Sequence, residues 1–293
     1  MANENSYTQY VSDFARLLGQ GRDLPLGGVP ATTTGQAPET NAPTALIFAP
    51  HPDDECIIGG LPLRLLRELG YRIVNVAVTQ GSREDRRAER WQELAQGCAA
   101  LGFGLIATGD GGLTRIRPET REQESAHWSR AVDVISGIIS AHRPQIVFFP
   151  HDDDWNQTHI GTHLLLTDAL RDQPEGFACH VVETEFWGAM DSPNLMVESG
   201  NRDVADLIAA LSCHVGEVRR NPYHLRLPGW MIDNVRRGGE LVMGQGQAAP
   251  DFTFATLYRL RRWQDGTLHD VLDAGRAVAA SQELSGLFPV SGD

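Results

Sequence analysis

The sequence contains no lysine: all 25 of its basic residues are arginines. Without lysine there is no ε-amino group for a Schiff base, no P-loop lysine and no lysine general base. Positive charge is scarce overall, since 38 acidic residues leave a formal net charge of -13. A surface that negative repels phosphate backbones, which argues against nucleic-acid binding. Cysteine is sparse too. Cys56, Cys98, Cys179 and Cys213 form no CxxC pair, which argues against a disulfide framework or a cysteine-built zinc site; each is read as a small buried apolar side chain. Any metal centre must therefore be assembled from His, Asp and Glu. No apolar run is long enough to suggest a membrane span. The first residues have neither the basic start nor the apolar core of a signal peptide, so the expected location is cytoplasmic.

The 293 residues, 41% hydrophobic and 22% charged, have the composition of an ordinary soluble globular protein. A helix is predicted from about Tyr7 to Leu18, followed by a Pro/Gly/Thr-rich linker over 23–43. Residues 1–43 are thus read as a helix and arm, and 44–293 as one domain whose part from about 190 onward is an extension. Short apolar runs predict strands over Ala45–Ala49, Tyr71–Val78, Leu105–Thr108, Gln145–Phe149 and Cys179–Glu185. Helical spacing predicts helices over Leu61–Leu69, Glu84–Leu101, Glu119–Ala141 and Ile160–Leu170. This alternation points to a parallel sheet with helices on both faces. In the last third a helix is expected from Val204 to Arg219, a strand from Phe252 to Leu260 and a final helix near Leu268 to Ala280.

Ligands of such sheets bind beyond the carboxyl ends of the strands. Two polar clusters fall there. Pro50-His51-Pro52-Asp53-Asp54-Glu55 follows the first strand, and Pro150-His151-Asp152-Asp153-Asp154-Trp155-Asn156-Gln157-Thr158-His159 follows the fourth. A His and an Asp three apart on a tight loop can face one cation while the Asp between them points elsewhere. Two adjacent carboxylates then suit a ligand and a base. An isolated Asp pair after a strand would more simply cap the next helix; His-Pro before it and a second His-bearing loop favour metal binding.

Ala49-Pro50-His51-Pro52-Asp53-Asp54-Glu55 resembles the AHPDDE motif of the LmbE-like, or PIG-L-like, zinc deacetylases. Arg90-x-x-Glu93 with Leu101-Gly102, and Asp110-Gly111-Gly112-Leu113, follow in the family's order, so the resemblance runs from about Leu46 to Leu170. It implies a Rossmann-like three-layer α/β/α fold with a mostly parallel sheet. It also implies Zn2+, with other divalent cations allowed, held by His51 and Asp54, and Asp53 as general base. Glu55 is read as a supporting or first-turn residue. The family's H-x-D-H motif falls on Asn156-Gln157-Thr158-His159, making His159 the third ligand by register. His163, one helical turn on, is the competing ligand.

The oxyanion partner is left open among Asn156, His163 and His151. Arg90 is a candidate for gripping substrate, or else a helix-surface partner of Glu89 or Glu93. Asp110 is a candidate for sugar hydroxyls, or a turn former. Asp152, Asp153 and Asp154 are outer ligands or, for the most part, simple loop acids; Asn221–His224 and Trp230 either line a sugar-stacking wall or are core aromatics, and are given no catalytic role. The resemblance thus implies N-deacetylation of an N-acetylglucosamine-type amino sugar or conjugate, with a small-molecule substrate and room for a homo-oligomer. A deacylase of another N-acylated small molecule and a non-catalytic metal- or sugar-binding relative are the alternatives. A dinucleotide site is rejected, because HPDDECIIGG presents acids where a pyrophosphate needs bare amides.

Overall fold

The computed structural model describes residues 5–30 and 41–288; the middle of the arm expected over 23–43 lies outside them. Parallel strands β1 (Thr44–Ala49), β2 (Arg72–Ala77), β3 (Gly104–Ala107), β4 (Ile146–Pro150) and β5 (Cys179–Thr184) lie in the order β3-β2-β1-β4-β5. The sheet then continues through β6 (Leu195–Glu198), β7 (Ala255–Gln264), β8 (Thr267–Asp270) and β9 (Arg276–Val278). There β7 runs antiparallel to β5, β6 and β8, while β9 pairs parallel with β6. The result is the expected mostly parallel sheet between helical layers.

The helices are α1 (Thr8–Gly21), α2 (Asp54–Ile57), α3 (Leu61–Leu69), α4 (Arg87–Leu101), α5 (Pro118–Gln123), α6 (Ser125–His142), α7 (Gln157–Arg171), α8 (Asn201–Leu211), α9 (Val215–Arg220) and α10 (Leu227–Leu241). Alternate residues of β1 face opposite layers, as the two-residue period of a strand requires. Ala45 and Ile47 pack with Leu61, Leu65, Leu94 and Cys98, whereas Leu46 and Phe48 pack with Ile135, Ile139, Leu165 and Leu166. Both faces are therefore dry, which is why the parallel strands read as continuous apolar runs. The four cysteines are free and buried, and no described helix is long and apolar enough to cross a membrane.

Several expectations for the C-terminal third are corrected. The helix expected near Leu268–Ala280 is absent: Thr267–Asp270 is a strand that folds back on β7. Asp265 and Gly266, at φ 51° and 77°, form the hairpin turn that Asp-Gly favours. The single helix expected over Val204–Arg219 is two, α8 and α9, separated at Ser212–His214. Before β7 the chain also forms α10, which starts with Pro228 in its first turn, where a missing N–H is harmless.

After β3 the chain returns to the other side of β1, so β1 and β4 are neighbours whose connections leave in opposite directions. Such a switch point opens a crevice at the strand ends, and the HPDDE and His151–His159 loops both begin there.

Candidate metal centre

At the end of β1 the chain turns sharply into α2. Asp53 takes φ 110°, a conformation that L-residues rarely adopt. Two contacts hold it. The Asp53 N–H donates to Glu55 Oε2 at 2.9 Å, and the His51 N–H donates to Asp54 Oδ2 at 2.8 Å. Glu55 is itself fixed by His214 Nε2, 2.8 Å from Oε1, both side chains being fully buried. Gly97 of α4 makes room for this pair, because a Cβ there would lie 3.1 Å from His214 Nε2 and 3.3 Å from Glu55 Oε1. Glu55 thus shapes the loop from behind.

The turn directs His51 and Asp54 to one point, and α7 brings His159 to it. Asn156 is the N-cap of α7, its Oδ1 accepting from the Thr158 N–H at 2.8 Å. This cap places His159 in the first turn of the helix, at the mouth of the crevice. His51 Nδ1 lies 3.2 Å from His159 Nε2 and 3.4 Å from Asp54 Oδ2, and His159 Nε2 lies 3.2 Å from the same oxygen. Ligands about 2.0–2.1 Å from a tetrahedral ion stand roughly 3.3 Å apart, so this spacing suits zinc. Two imidazoles and one carboxylate leave a fourth position open, as catalytic zinc sites do. Electrostatics favour a cation as well. Burial opposes charge on His159, but Asp54 and Asp154 outweigh it and raise its pKa to about 9. Burial likewise works against the Asp54 carboxylate, which His159 and His51 nonetheless hold well below the usual range.

Asp154 is not the loop acid expected. It is buried, its Oδ2 lies 3.5 Å from His159 Nδ1, and it also accepts from the backbone N–H groups of Asn156, Trp187 and Gly188. A carboxylate behind a metal-binding imidazole fixes its orientation and raises its basicity.

His163 is turned away from the cluster. Its Nδ1 lies 3.0 Å from the Pro150 carbonyl and 3.5 Å from Glu183 Oε1, and it is not part of the close-set group His51, Asp54 and His159. His151 is equally engaged: Nε2 lies 2.9 Å from the Gly188 carbonyl and Nδ1 accepts from the Asp153 N–H at 3.2 Å. Neither histidine lines the cavity in front of His51. Asn156 lines the cavity in front of His51, and with Oδ1 used as the helix cap its Nδ2 is the donor left. Asp110 is exposed and stands outside that cavity.

Asp53 sits beside the three-residue cluster without joining it. The Tyr223 hydroxyl donates to its Oδ2 at 2.5 Å, and Arg90 Nη2 lies 3.9 Å from that oxygen while donating to the Pro52 carbonyl at 2.9 Å. Arg90 is therefore turned into the site and not toward Glu89 or Glu93. Burial, then the Asp54 charge, raise the Asp53 pKa to about 7, against the opposing effects of His214, Arg90 and Tyr223. A carboxyl poised there can both take and return a proton near neutrality.

Residues 46–170 match the family model described as PIG-L: GlcNAc-PI de-N-acetylase. Over that stretch, less than half of the chain, the sequence is similar to the PIG-L family. The matched segment runs from β1 to the end of α7 and contains His51, Asp53, Asp54, Asp154 and His159; Tyr223 and His214 lie beyond it. No curated protein matches the chain.

Among solved structures, an N,N'-diacetylchitobiose deacetylase from Pyrococcus horikoshii is 16% identical, with a TM-score of 0.54 over 89% of this chain and 94% of its own. A conserved protein of Thermus thermophilus is 20% identical, with a TM-score of 0.53 over 73% of this chain and 93% of its own. The 4-carboxy-2-hydroxymuconate hydratase GalB of Pseudomonas putida is 17% identical, with a TM-score of 0.54 over 74% of this chain and 95% of its own. At these identities the likeness is one of fold, which a deacetylase and a hydratase share.

Sequence reasoning favoured a loop acid over an outer ligand at Asp154, did not link Tyr223 to Asp53 and gave His214 no part in the site. Asp154 carried a usable signal, since it lies five residues before the candidate ligand in the same loop. Tyr223 lies 170 residues from Asp53, and no local pattern links the two.

Proposed function

We propose that this protein is a zinc-dependent hydrolase that removes an acetyl group from the amide nitrogen of an N-acetylglucosamine-type amino sugar or its conjugate. The observation that carries this reading is a His51–Asp54–His159 donor set with a separate buried carboxyl, Asp53, beside it. The description of the matching family and the diacetylchitobiose deacetylase among the similar folds support the same chemistry.

A divalent cation held by His51, Asp54 and His159 would acidify water and polarise the amide carbonyl. Asp53 accepts the proton of the attacking water and delivers it to the departing amine. Tyr223 holds Asp53 Oδ2 by a hydrogen bond, leaving Oδ1 for that transfer. Asn156 Nδ2 is the side-chain donor assigned to the carbonyl oxygen as it becomes negative.

The test combines elemental analysis of the purified protein with acetate release from N-acetylglucosamine, diacetylchitobiose and acylated glycosides. Asp53→Asn is expected to keep its metal and lose turnover. If that variant hydrolyses these compounds as fast as the native protein, the assignment is wrong.

A second reading, deacylation of another N-acylated small molecule, has its own observation. A cavity of about 320 Å³ lined by Ile57, Phe186, Trp187, Leu227 and Trp230 adjoins Tyr223. Its largely apolar wall suits an acyl chain longer than acetyl, and a chain-length series of N-acyl glucosamines separates the two readings.

A further inference from the structure

The cavity in front of His51, about 650 Å³, is lined by Arg87, Arg90, Arg115 and Arg117 against a single acid, Glu84. This is a concentration of positive charge in a protein whose formal net charge is -13. Arginines in a chain so acidic would ordinarily be spent on carboxylate partners, and Arg115 is: it pairs with Glu124 and lies 3.2 Å from His127 Nδ1. The other three are neutralised less closely, Arg87 and Arg90 having only ion pairs of 3.6 and 3.9 Å.

Arg87 has only Glu84, 3.6 Å away and itself largely exposed, and its Nε is buried without a hydrogen-bond partner. The buried Nε of Arg90 also lacks a partner, and its Nη2 reaches no carboxylate closer than Asp53 at 3.9 Å. Arg117 has no side-chain hydrogen bond or ion pair among the described residues. Its placement is fixed by the backbone. The Ile116–Arg117 peptide lies so close to Gly161 of α7 that a Cβ there would sit 2.3 Å from the Ile116 carbonyl oxygen and 2.7 Å from the Arg117 nitrogen. The loop that carries Arg117 is thereby seated on the helix that carries His159.

Guanidinium groups with donors to spare around a concave site are suited to planar, bidentate recognition of a carboxylate or phosphoryl group. A low-dielectric wall of one sign focuses the field that draws such an anion in. We propose that this cavity is a subsite for an oxyanion-bearing group of the substrate, gripped by Arg87 and Arg117, with Arg90 at its inner end beside Asp53. The proposal deepens the N-deacetylase reading and rests on it for the location of the reacting amide. The substrate class it defines is an N-acyl amino sugar carrying a phosphate or a carboxylate.

Calorimetric titration of the full chain with three probes tests this: N-acetylglucosamine, N-acetylglucosamine 6-phosphate and N-acetylmuramic acid. Acetate release is measured from each in parallel. At least one anionic probe is expected to bind about tenfold or more tightly than the neutral sugar, the hydrogen bonds being to charged groups. Inorganic phosphate is expected to compete with it, and added salt to weaken it.

Arg87→Met and Arg117→Met should each lower anionic binding roughly tenfold to a hundredfold, while the neutral sugar binds as before. Because Arg117 makes no contact that the fold needs, its variant keeps the test valid if Arg87→Met unfolds. Which anionic probe wins distinguishes a phosphate from a carboxylate. A neutral sugar bound as tightly as both anions, or an anion preference untouched by Arg117→Met, overturns the proposal. Anion preference without acetate release from any probe sinks the N-deacetylase reading and leaves the anion subsite. Acetate release without anion preference does the reverse.

Discussion

Tyr223 donates a hydrogen bond to Asp53 Oδ2 at 2.5 Å, joining the C-terminal part of the chain to the loop after the first strand. Burial, followed by the Asp53 charge, raises the tyrosine pKa, so the phenol stays a donor across the accessible pH range. Trp187 packs edge-on against the same ring at 5.9 Å and steadies it. The proposed base is thus oriented by a residue outside the matched segment.

Tyr223→Phe is expected to lower turnover roughly tenfold to a hundredfold, as loss of a hydrogen bond to a charged group implies. Metal content, read by elemental analysis, should not change, because Tyr223 touches none of the three candidate ligands. The bond lowers the Asp53 pKa, so its removal should shift the acidic limb of the kcat/KM profile to higher pH. A variant that loses metal along with activity would show that Tyr223 supports the ligands instead.

Asp154→Asn addresses the cation site from behind. The substitution keeps the shape and removes the carboxylate behind His159 Nδ1. Such changes typically weaken metal binding about tenfold to a hundredfold. Competition with a chromogenic chelator measures it, and an unchanged affinity would make Asp154 a mere loop anchor through its contacts to Trp187 and Gly188.

The Glu55–His214 pair is expected to matter first for stability. Burial disfavours charge on His214, but the Glu55 carboxylate outweighs it and raises its pKa. Glu55→Gln leaves a buried histidine facing a neutral amide, and breaking such a pair costs about 3–5 kcal/mol. Denaturant unfolding of Glu55→Gln, His214→Asn and the double variant should show a large coupling energy. Additive effects would mean that the two side chains act independently.

His180 makes an acid-stability prediction away from the site. Burial in β5, then the nearby Arg262 charge, lower its pKa to about 4 from a usual 6.5. The unfolded chain therefore binds a proton between about pH 6.5 and pH 4 that the folded chain refuses. Stability from this group is full above pH 6.5 and falls as pH drops toward 4, by up to about 3 kcal/mol on the linkage relation. His180→Leu should flatten the Tm-against-pH curve in that window. An unaltered slope would assign acid sensitivity to other groups.

Much of the fold was legible because its signals are local. Continuous apolar runs mark strands buried on both faces, leucine spacing marks α3, and Gly70 and Gly102, at φ 68° and 76°, end α3 and α4 as written in the sequence. Pattern failed where pairing decided. Thr267–Asp270 became strand because an Asp-Gly turn returned it to β7, and the short β6 and β9 exist only through their sheet neighbours.

By itself the sequence determined which chemistry was available. Lysine and paired cysteines are absent, and His51, Asp53 and Asp54 lie within one loop whose spacing separates a candidate ligand pair from a candidate base. Only tertiary structure decided the rest. His159 and His163 are one turn apart, and sequence spacing alone does not say which ring faces the strand-end crevice and which faces Glu183; the Asn156 cap and the seating of α7 settle it. Tyr223 reaches Asp53, Asp154 backs His159, and four arginines gather before His51, because packing brings together side chains that no periodicity relates.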